Sequence, residues 1–304
     1  MLPRVRTWFA LAVAVLVCLR PTAAQQPTFR VGVDLVRVDV SVTRNLEPVS
    51  GLTVDNFTVT DNGVKQKLER VIHEQVPLEA FLVLDVSGSV AGVQLERLKA
   101  GARGFVAGLT PQDKVALVTF AAKPTVLQPL TGDFDAFVRS LDEVKAEGQT
   151  ALYDATAMAL TLRKPADNRA VIVVFTDGGD NASDASPKAV VQAVERSDAI
   201  VYGVSVSDRG RGPVFGADAL RSQFQVGFLR SLADTTGGRV LNAESGRLEE
   251  AFGLILNDVR ARYLITYYPD KVAAGWHKLD VRLNGIRGTV LARRGYYAAR
   301  SESR

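Results

Sequence analysis

The chain has 304 residues, 47% hydrophobic and 23% charged, an ordinary globular balance that permits a sizeable core. The formal charge of +4 comes from interspersed acidic and basic residues, with one short basic run, Arg293, Arg294, Arg300 and Arg304, read as a solvated end; without a basic face, nucleic acid is not an expected partner. One cysteine, Cys18, and two histidines, His73 and His277, leave no disulfides and no set of three or four N/S zinc ligands, so any metal must be held by oxygen.

In chain order, Arg4 and Arg6 precede an apolar stretch from Trp8 to Leu19 and then Pro21-Thr22-Ala23-Ala24. Residues 1–24 therefore read as an export signal cleaved after Ala24. The stretch is shorter than the ~20 residues that cross a bilayer, and no later segment is apolar enough to span one. Val17 occupies the place where a lipoprotein signal carries a small residue before its modified cysteine. Cleavage would remove Arg4, Arg6 and Arg20, taking 37 basic residues to 34 against 33 acidic, a net +1. The mature protein is expected in the periplasm or outside the cell.

Residues 25–77 read as a β segment. Apolar and polar positions alternate from Phe29 to Val42, the two-residue period of a half-buried strand, and the phase slips between Leu35 and Val36 as a bulge would require. Two short strands, Phe57–Thr60 and Val64–Leu68, flank Asp61-Asn62-Gly63, where Asn-Gly predicts a hairpin turn.

From 78 to 260 strands alternate with helices. Ala80–Leu84, Val115–Phe120, Ala170–Phe175 and Ala199–Val206 are nearly continuous apolar runs, as strands covered on both faces must be. Leu95, Leu98, Ala102, Phe105, Val106 and Leu109 recur at helical spacing, as do Phe134, Phe137, Val138 and Leu141, and Leu152, Ala155, Ala159 and Leu162. Further helices are expected at Pro187–Ser197, Arg247–Arg260 and, shorter, Gly227–Asp234, with a long loop from Asp208 to Ser222. The fold class is α/β, a doubly wound, mostly parallel sheet with helices on both faces. A second β segment, 261–299, holds strands Tyr263–Tyr268, His277–Leu283 and Thr289–Ala292. It is expected to pair with the N-terminal segment in a small all-β accessory domain, with 300–304 as a tail.

Ligands of a doubly wound sheet bind at the carboxyl ends of its strands. At that edge the first central strand runs into Asp85-Val86-Ser87-Gly88-Ser89, one carboxylate and two hydroxyls on a loop that Gly88 would let bend. Glu147-Gly148-Gln149-Thr150 precedes a helix, and Asp177-Gly178-Gly179-Asp180 follows a strand. Asp85, Ser87, Ser89, Thr150 and Asp177 thus form a hard, oxygen-only donor set suited to octahedral Mg2+ at ~2.1 Å, with Ca2+ and Mn2+ as alternatives. The strings AFLVLDVSGS, GQTALYDA and VFTDGGDN resemble the metal-ion-dependent adhesion site of von Willebrand factor A and integrin I domains over roughly residues 78–260. That resemblance implies direct or water-mediated ligation by these five residues and a carboxylate from a protein partner completing the metal shell. The flanks FRVGVDLVRVDVSVTRN, LTVDNFTVTDNGVKQ, YLITYYPD and RRGYYA resemble the bacterial VWFA-related domain family known from Acidobacteria.

Each donor also has a local explanation: Ser87 and Ser89 as helix caps, Thr150 as the N-cap of the next helix, Asp177-Gly178 as a turn. Asp180, Asn181 and Asp184 read as a solvated turn rather than a calcium site, and His73 and His277 as structural or surface residues. Tyr267, Tyr268, Tyr296 and Tyr297 read as core or sheet-edge aromatics. The leading expectation is an exported, non-enzymatic binding module. A Mg2+-dependent hydrolase and a structural envelope component are the alternatives, and Ser87 stands where such hydrolases commonly carry a second carboxylate.

Overall fold

The computed structural model describes residues 35–73, 76–164, 168–206, 217–269 and 273–298, with the backbone alone at 217–222 and 245. The expected signal, residues 1–24, and the first part of the expected strand from Phe29 lie outside the described residues. β1 (Val36–Arg44) begins on the far side of the expected phase slip, with Leu35 exposed before it and Val38, Val40 and Val42 buried. β2 (Glu47–Pro48) folds back onto its end. β3 (Phe57–Asp61) and β4 (Val64–Lys65) pair Thr60 with Lys65 and Asp61 with Val64. Asn62 and Gly63 between them have φ of 49° and 83°, so both supply the positive angles that the expected hairpin turn needs. The strand expected over 64–68 is divided: β4 stops at Lys65, and β5 (Leu68–Ile72) joins another sheet.

The middle of the chain contributes β6 (Leu78–Asp85), α1 (Val93–Ala107), β7 (Lys114–Phe120), β8 (Pro124–Thr131), α2 (Phe134–Asp142) and α3 (Leu152–Leu162). It continues with β9 (Arg169–Thr176), α4 (Pro187–Glu195), β10 (Ile200–Val206), α5 (Ala217–Thr236), β11 (Val240–Ala243) and α6 (Leu248–Arg260). The six strands run β11-β10-β9-β6-β7-β8, parallel except for β8, which lies antiparallel along β7 at the edge. Alternation along β6 covers both faces: Leu78, Ala80, Leu82 and Leu84 pack with α1, α2 and α6, while Phe81 and Val83 pack with α3, α4 and α5.

Three elements of this middle segment depart from expectation. β8 and β11 were not anticipated, because an edge strand half open to water carries no continuous apolar run: Thr125 and Leu127 are exposed while Val126 and Leu130 turn inward. α5 is much longer than the expected Gly227–Asp234 and takes in part of the expected loop. Its first half mixes polar and apolar residues without a helical stripe, which conceals the helix in the sequence, and the packing of Phe228, Leu229 and Leu232 on the sheet holds it.

The chain ends with β12 (Tyr263–Tyr267), β13 (Gly275–Leu283), β14 (Thr289–Ala292) and β15 (Gly295–Ala298). Strands from the two ends mix in both remaining sheets: β14-β1-β12-β5 with β2 on β1, and β15-β13-β3-β4. Their core gathers Val38, Val40, Phe57, Val59, Tyr263, Ile265 and Tyr267. Buried polar bonds join this layer to the central sheet. Arg169 on β9 donates from Nε to Asp39 Oδ1 at 2.6 Å and from Nη1 to the Val259 carbonyl at 2.8 Å, and Ser41 Oγ donates to Asp258 Oδ1 at 2.6 Å. Arg293, read from sequence as part of a solvated end, instead donates to the Ser197 carbonyl at 3.0 Å, just beyond α4, and to Gly295 O at 2.6 Å. A guanidinium there satisfies carbonyls that the end of a helix leaves open.

His277 and Asp61 lock the two ends together. His277 is 3% exposed; its Nδ1 lies 2.7 Å from Asp61 Oδ1 and its Nε2 2.7 Å from the Ala273 carbonyl, so both ring nitrogens face acceptors. Asp61 also accepts from the hydroxyls of Tyr267 at 2.9 Å and Tyr296 at 2.8 Å. Burial pushes the imidazole pKa down, but the Ala273 carbonyl and the Asp61 carboxylate outweigh it and raise it above the ordinary value. A raised folded-state pKa gives stability that is complete below the unfolded value of about 6.5 and is lost as pH climbs through the folded one. Urea midpoints are therefore expected to fall between pH 6 and pH 9 by more in the native chain than in His277→Gln. Equal falls would remove His277 from this role.

Candidate functional site

The site is built where β6 and β9, neighbours in the sheet, end side by side. Asp85 is the last residue of β6 and is fully buried. Its Oδ1 accepts from the Ser87 backbone N–H at 2.9 Å and its Oδ2 from Thr176 Oγ1 at 2.7 Å. Burial pushes its carboxyl up to about 6, against hydrogen bonds from Ser87 and Thr176 that favour the anion, with Asp177 adding to the rise. A carboxylate this dry calls for a cation close by.

From Ser87 a chain of side-chain bonds runs outward. Ser87 Oγ lies 3.1 Å from Ser89 Oγ, and Ser89 Oγ donates to Asp177 Oδ1 at 2.7 Å. The second Asp177 oxygen accepts from Gln94 Nε2 at 3.1 Å. Ser87 is buried, Ser89 exposed and Asp177 half-buried, so the row climbs from the interior to solvent. Four of the five expected residues are thereby brought together by direct hydrogen bonds.

The fifth, Thr150, is buried on a loop that backbone bonds zip to the first: Gly88 N–H to Gly148 O at 3.1 Å and Glu147 N–H to Val86 O at 2.8 Å. The Thr150 backbone N–H donates to Asn181 Oδ1 at 2.8 Å, and the Thr150 carbonyl accepts from the Asn181 and Ala182 N–H groups. The loops after β6, before α3 and after β9 therefore hold one another in place.

The local explanations fail for Thr150 and Ser87. The N-cap position of α3 is Ala151, not Thr150, and Ser87 makes no side-chain capping bond to the short 3-10 turn that follows it. Gly88 has no left-handed φ, and a Cβ there would meet the Gly148 carbonyl at 3.6 Å and the Gly148 nitrogen at 4.0 Å, ordinary contacts. The glycine that the geometry needs is Gly148, with φ of 80°.

Sequence reasoning missed Thr176, Gln94 and Gln225, and gave Asp180 and Asn181 too small a role. Thr176, Gln94, Asn181 and Gln225 position the loops; Gln225 Nε2 donates to the Thr176 carbonyl at 3.1 Å. Asp180 does form a local turn, its Oδ1 accepting from the Ser183 N–H at 3.2 Å, but its Oδ2 also accepts from the Tyr153 backbone N–H at 3.1 Å and from Ser183 Oγ at 2.5 Å. With Asn181 it serves the N-terminal turn of α3, whose first N–H groups lack partners within the helix. The spacing of Asp180 and Asn181 behind Asp177 is a signal that a cap supplied from a distant loop leaves unreadable in one sequence.

A family described as the von Willebrand factor type A domain matches residues 80–179, a span that contains all five candidate residues. The chain contains a von Willebrand factor type A domain. Its α/β fold is shared by the von Willebrand factor type A structure from Catenulispora acidiphila, at a TM-score of 0.50 and 13% identity over 88% of this chain and 74% of that one. Proximal thread matrix protein 1 from the mussel byssus, solved with a zinc-occupied MIDAS motif, matches at a TM-score of 0.52 and 18% identity, over 66% of this chain and 50% of that one. Among sequences, the UPF0353 protein of Mycolicibacterium paratuberculosis is 29% identical over 232 residues, 70% of this chain and 68% of that protein. The chain thus spans half of the byssus protein and about two thirds of the mycobacterial one. Among the described residues of this type A domain protein, no helix is long and apolar enough to cross a membrane.

Proposed function

We propose that this type A domain holds one divalent cation, Mg2+ in the first instance, through Asp85, Ser87, Ser89, Thr150 and Asp177, and uses it to bind an acidic group on a protein partner. The observation that carries the reading is the bonded row Ser87–Ser89–Asp177 beside the buried Asp85 carboxylate. Hydroxyls and carboxylates are the donors a hard cation prefers, and Mg2+ in particular keeps open positions that water or an incoming ligand can fill. The donor set fits such an ion with Ser87 and Ser89 as neutral ligands and the two aspartates as the anionic ones. The zinc-occupied motif of the byssus protein supports a divalent ion at such a place in this fold. We assign the chain a binding role rather than a reaction, in an exported protein of the periplasm or the extracellular space. Calcium and manganese are the alternative ions.

Calorimetric titration with Mg2+ tests the proposal, and Asn181 supplies a sensitive variant. Its amide accepts the Thr150 N–H and touches no other proposed ligand directly. Groups that orient metal ligands typically change affinity 10–100-fold, so Asn181→Ala is expected to weaken Mg2+ binding by about tenfold. An unchanged affinity would mean that Thr150 is not a ligand or is not held by Asn181.

A further inference from the structure

The outer face of the sheet β15-β13-β3-β4 carries an aromatic pair set among cations. His277 and Leu279 on β13 turn inward and are buried, so Trp276, Lys278, Asp280 and Arg282 alternate onto the outer face. Register carries that face across the sheet: Tyr297 lies opposite Trp276, Gly295 opposite Lys278, and Thr60 links Asp280 to Lys65. The rings of Trp276 and Tyr297 have centroids 5.3 Å apart and planes tilted by 60°. The Arg196 guanidinium, just past α4, stands 5.1 Å from the centre of the Tyr297 ring. The indole leans over Gly295, where a Cβ would meet it at 2.3 Å, so backbone seats one side of the ring. Tyr297 is still 43% exposed, and Arg196, Lys278, Arg282 and Lys65 are all exposed.

The charges on this face are one-sided. Against Arg196, Lys278, Arg282 and Lys65 the outward positions of these strands set one carboxylate, Asp280, which accepts from Arg282 Nε at 2.6 Å. The complement is an anion, but exposed cations alone attract any polyanion weakly and under screening by salt. The rings narrow the choice. The C–H face of a pyranose is apolar and packs on an indole or phenol ring while its hydroxyls stay wet. At ~3.4 Å per residue along β13, Lys278 lies about 7 Å from Trp276 and Arg282 about 20 Å, a track long enough for several sugar rings. We propose that this face binds an acidic polysaccharide of the uronate class, with sugar rings on Trp276 and Tyr297 and carboxylates at Arg196, Lys278 and Lys65. The track does not involve the cation site. Single-stranded nucleic acid also combines stacking with negative charge, and the choice of a glycan over it rests on the export proposed above.

The test measures binding of four polymers to the full chain in EDTA, which keeps the cation site out of the reading. Polygalacturonate carries rings and charge, its methyl ester rings alone, polyglutamate charge alone, and oligothymidylate bases and phosphates. The native chain is expected to bind polygalacturonate about tenfold more tightly than each of the other three. Trp276→Leu keeps apolar bulk but removes the ring, and is expected to weaken that binding by about tenfold. Lys278→Glu, at an exposed position, should weaken it severalfold and flatten its dependence on salt. Trp276 packs on Gly295, so melting temperatures are compared, and Tyr297→Ser, at a more exposed ring, repeats the test if Trp276→Leu is destabilised. No binding of polygalacturonate, equal binding of polyglutamate, or affinity unchanged in both ring variants overturns the proposal. Tighter binding of oligothymidylate overturns it too, and gives the face to nucleic acid.

Discussion

Asp258→Ala is expected to lower folding stability by about 3–5 kcal/mol, the usual consequence of stripping one partner from a buried charge pair. Arg262 lies at the junction of α6 and β12 and is fully buried. It donates from Nη2 to Asp258 Oδ2 at 3.1 Å, to Tyr202 Oη at 2.8 Å and to the Gly237 carbonyl at 2.6 Å, and from Nε to Tyr202 Oη at 3.0 Å. The Tyr202 hydroxyl in turn donates to Asp258. Burial would raise the Asp258 carboxyl, yet the Arg262 guanidinium, with Ser41 and Tyr202, holds it below the usual carboxylate range. Removing the carboxylate strands a guanidinium with no route to water. Urea unfolding at neutral pH measures the loss, and adding Arg262→Met to Asp258→Ala should recover part of it, because the pair must be broken one-sidedly to be costly. A loss under about 1 kcal/mol would contradict the account of this junction.

Asp85→Ala is expected to abolish cation-linked stabilisation while leaving the fold intact. A ligand at a hundred times its dissociation constant stabilises the native state by about 2.7 kcal/mol. For a chain of this size that is a rise in melting temperature of about 4 °C. The native chain should show this rise on adding Mg2+ and lose it in EDTA, whereas Asp85→Ala should melt at one temperature in both. Asp85 closes a strand whose other residues are buried and apolar, and Thr176 Oγ1 retains the Gly178 carbonyl at 2.9 Å when its partner is gone. The variant in EDTA is therefore expected to stay within a few degrees of the native chain in EDTA. A variant that still responds to Mg2+ would place the ion elsewhere.

Much of this was legible in the sequence because burial on two faces leaves so plain a mark. β6, β7, β9 and β10 read directly as apolar runs, and the Asn62-Gly63 turn as a hairpin, since each depends on local chemistry. β8 was not legible because one side of an edge strand faces water, and α5 because its stability comes from Phe228, Leu229 and Leu232 against the sheet rather than from its own periodicity. At the site, Asp85, Ser87, Ser89 and Asp177 were singled out by their oxygen chemistry, and hydrogen bonds join them. Thr176, Gln94 and Gln225 were not, and Asn181 was read only as a turn residue, since a side-chain amide or hydroxyl gives no sign in sequence of which distant group it will serve. His277 was expected to be a structural or surface residue; its pairing with Asp61 across the two chain ends was invisible because 216 residues separate them.

The proposed ligands meet in space through hydrogen bonds and through loops zipped together by their backbones, and that convergence is the basis of the function assigned here. Crystals of the full chain grown with Mn2+ and measured at the manganese absorption edge test it most directly. A single anomalous peak is expected within coordination distance of the hydroxyls of Ser87, Ser89 and Thr150, at about 2.1–2.2 Å for a hard octahedral ion. A site there without a peak, or a peak bound by other residues, would contradict the assignment.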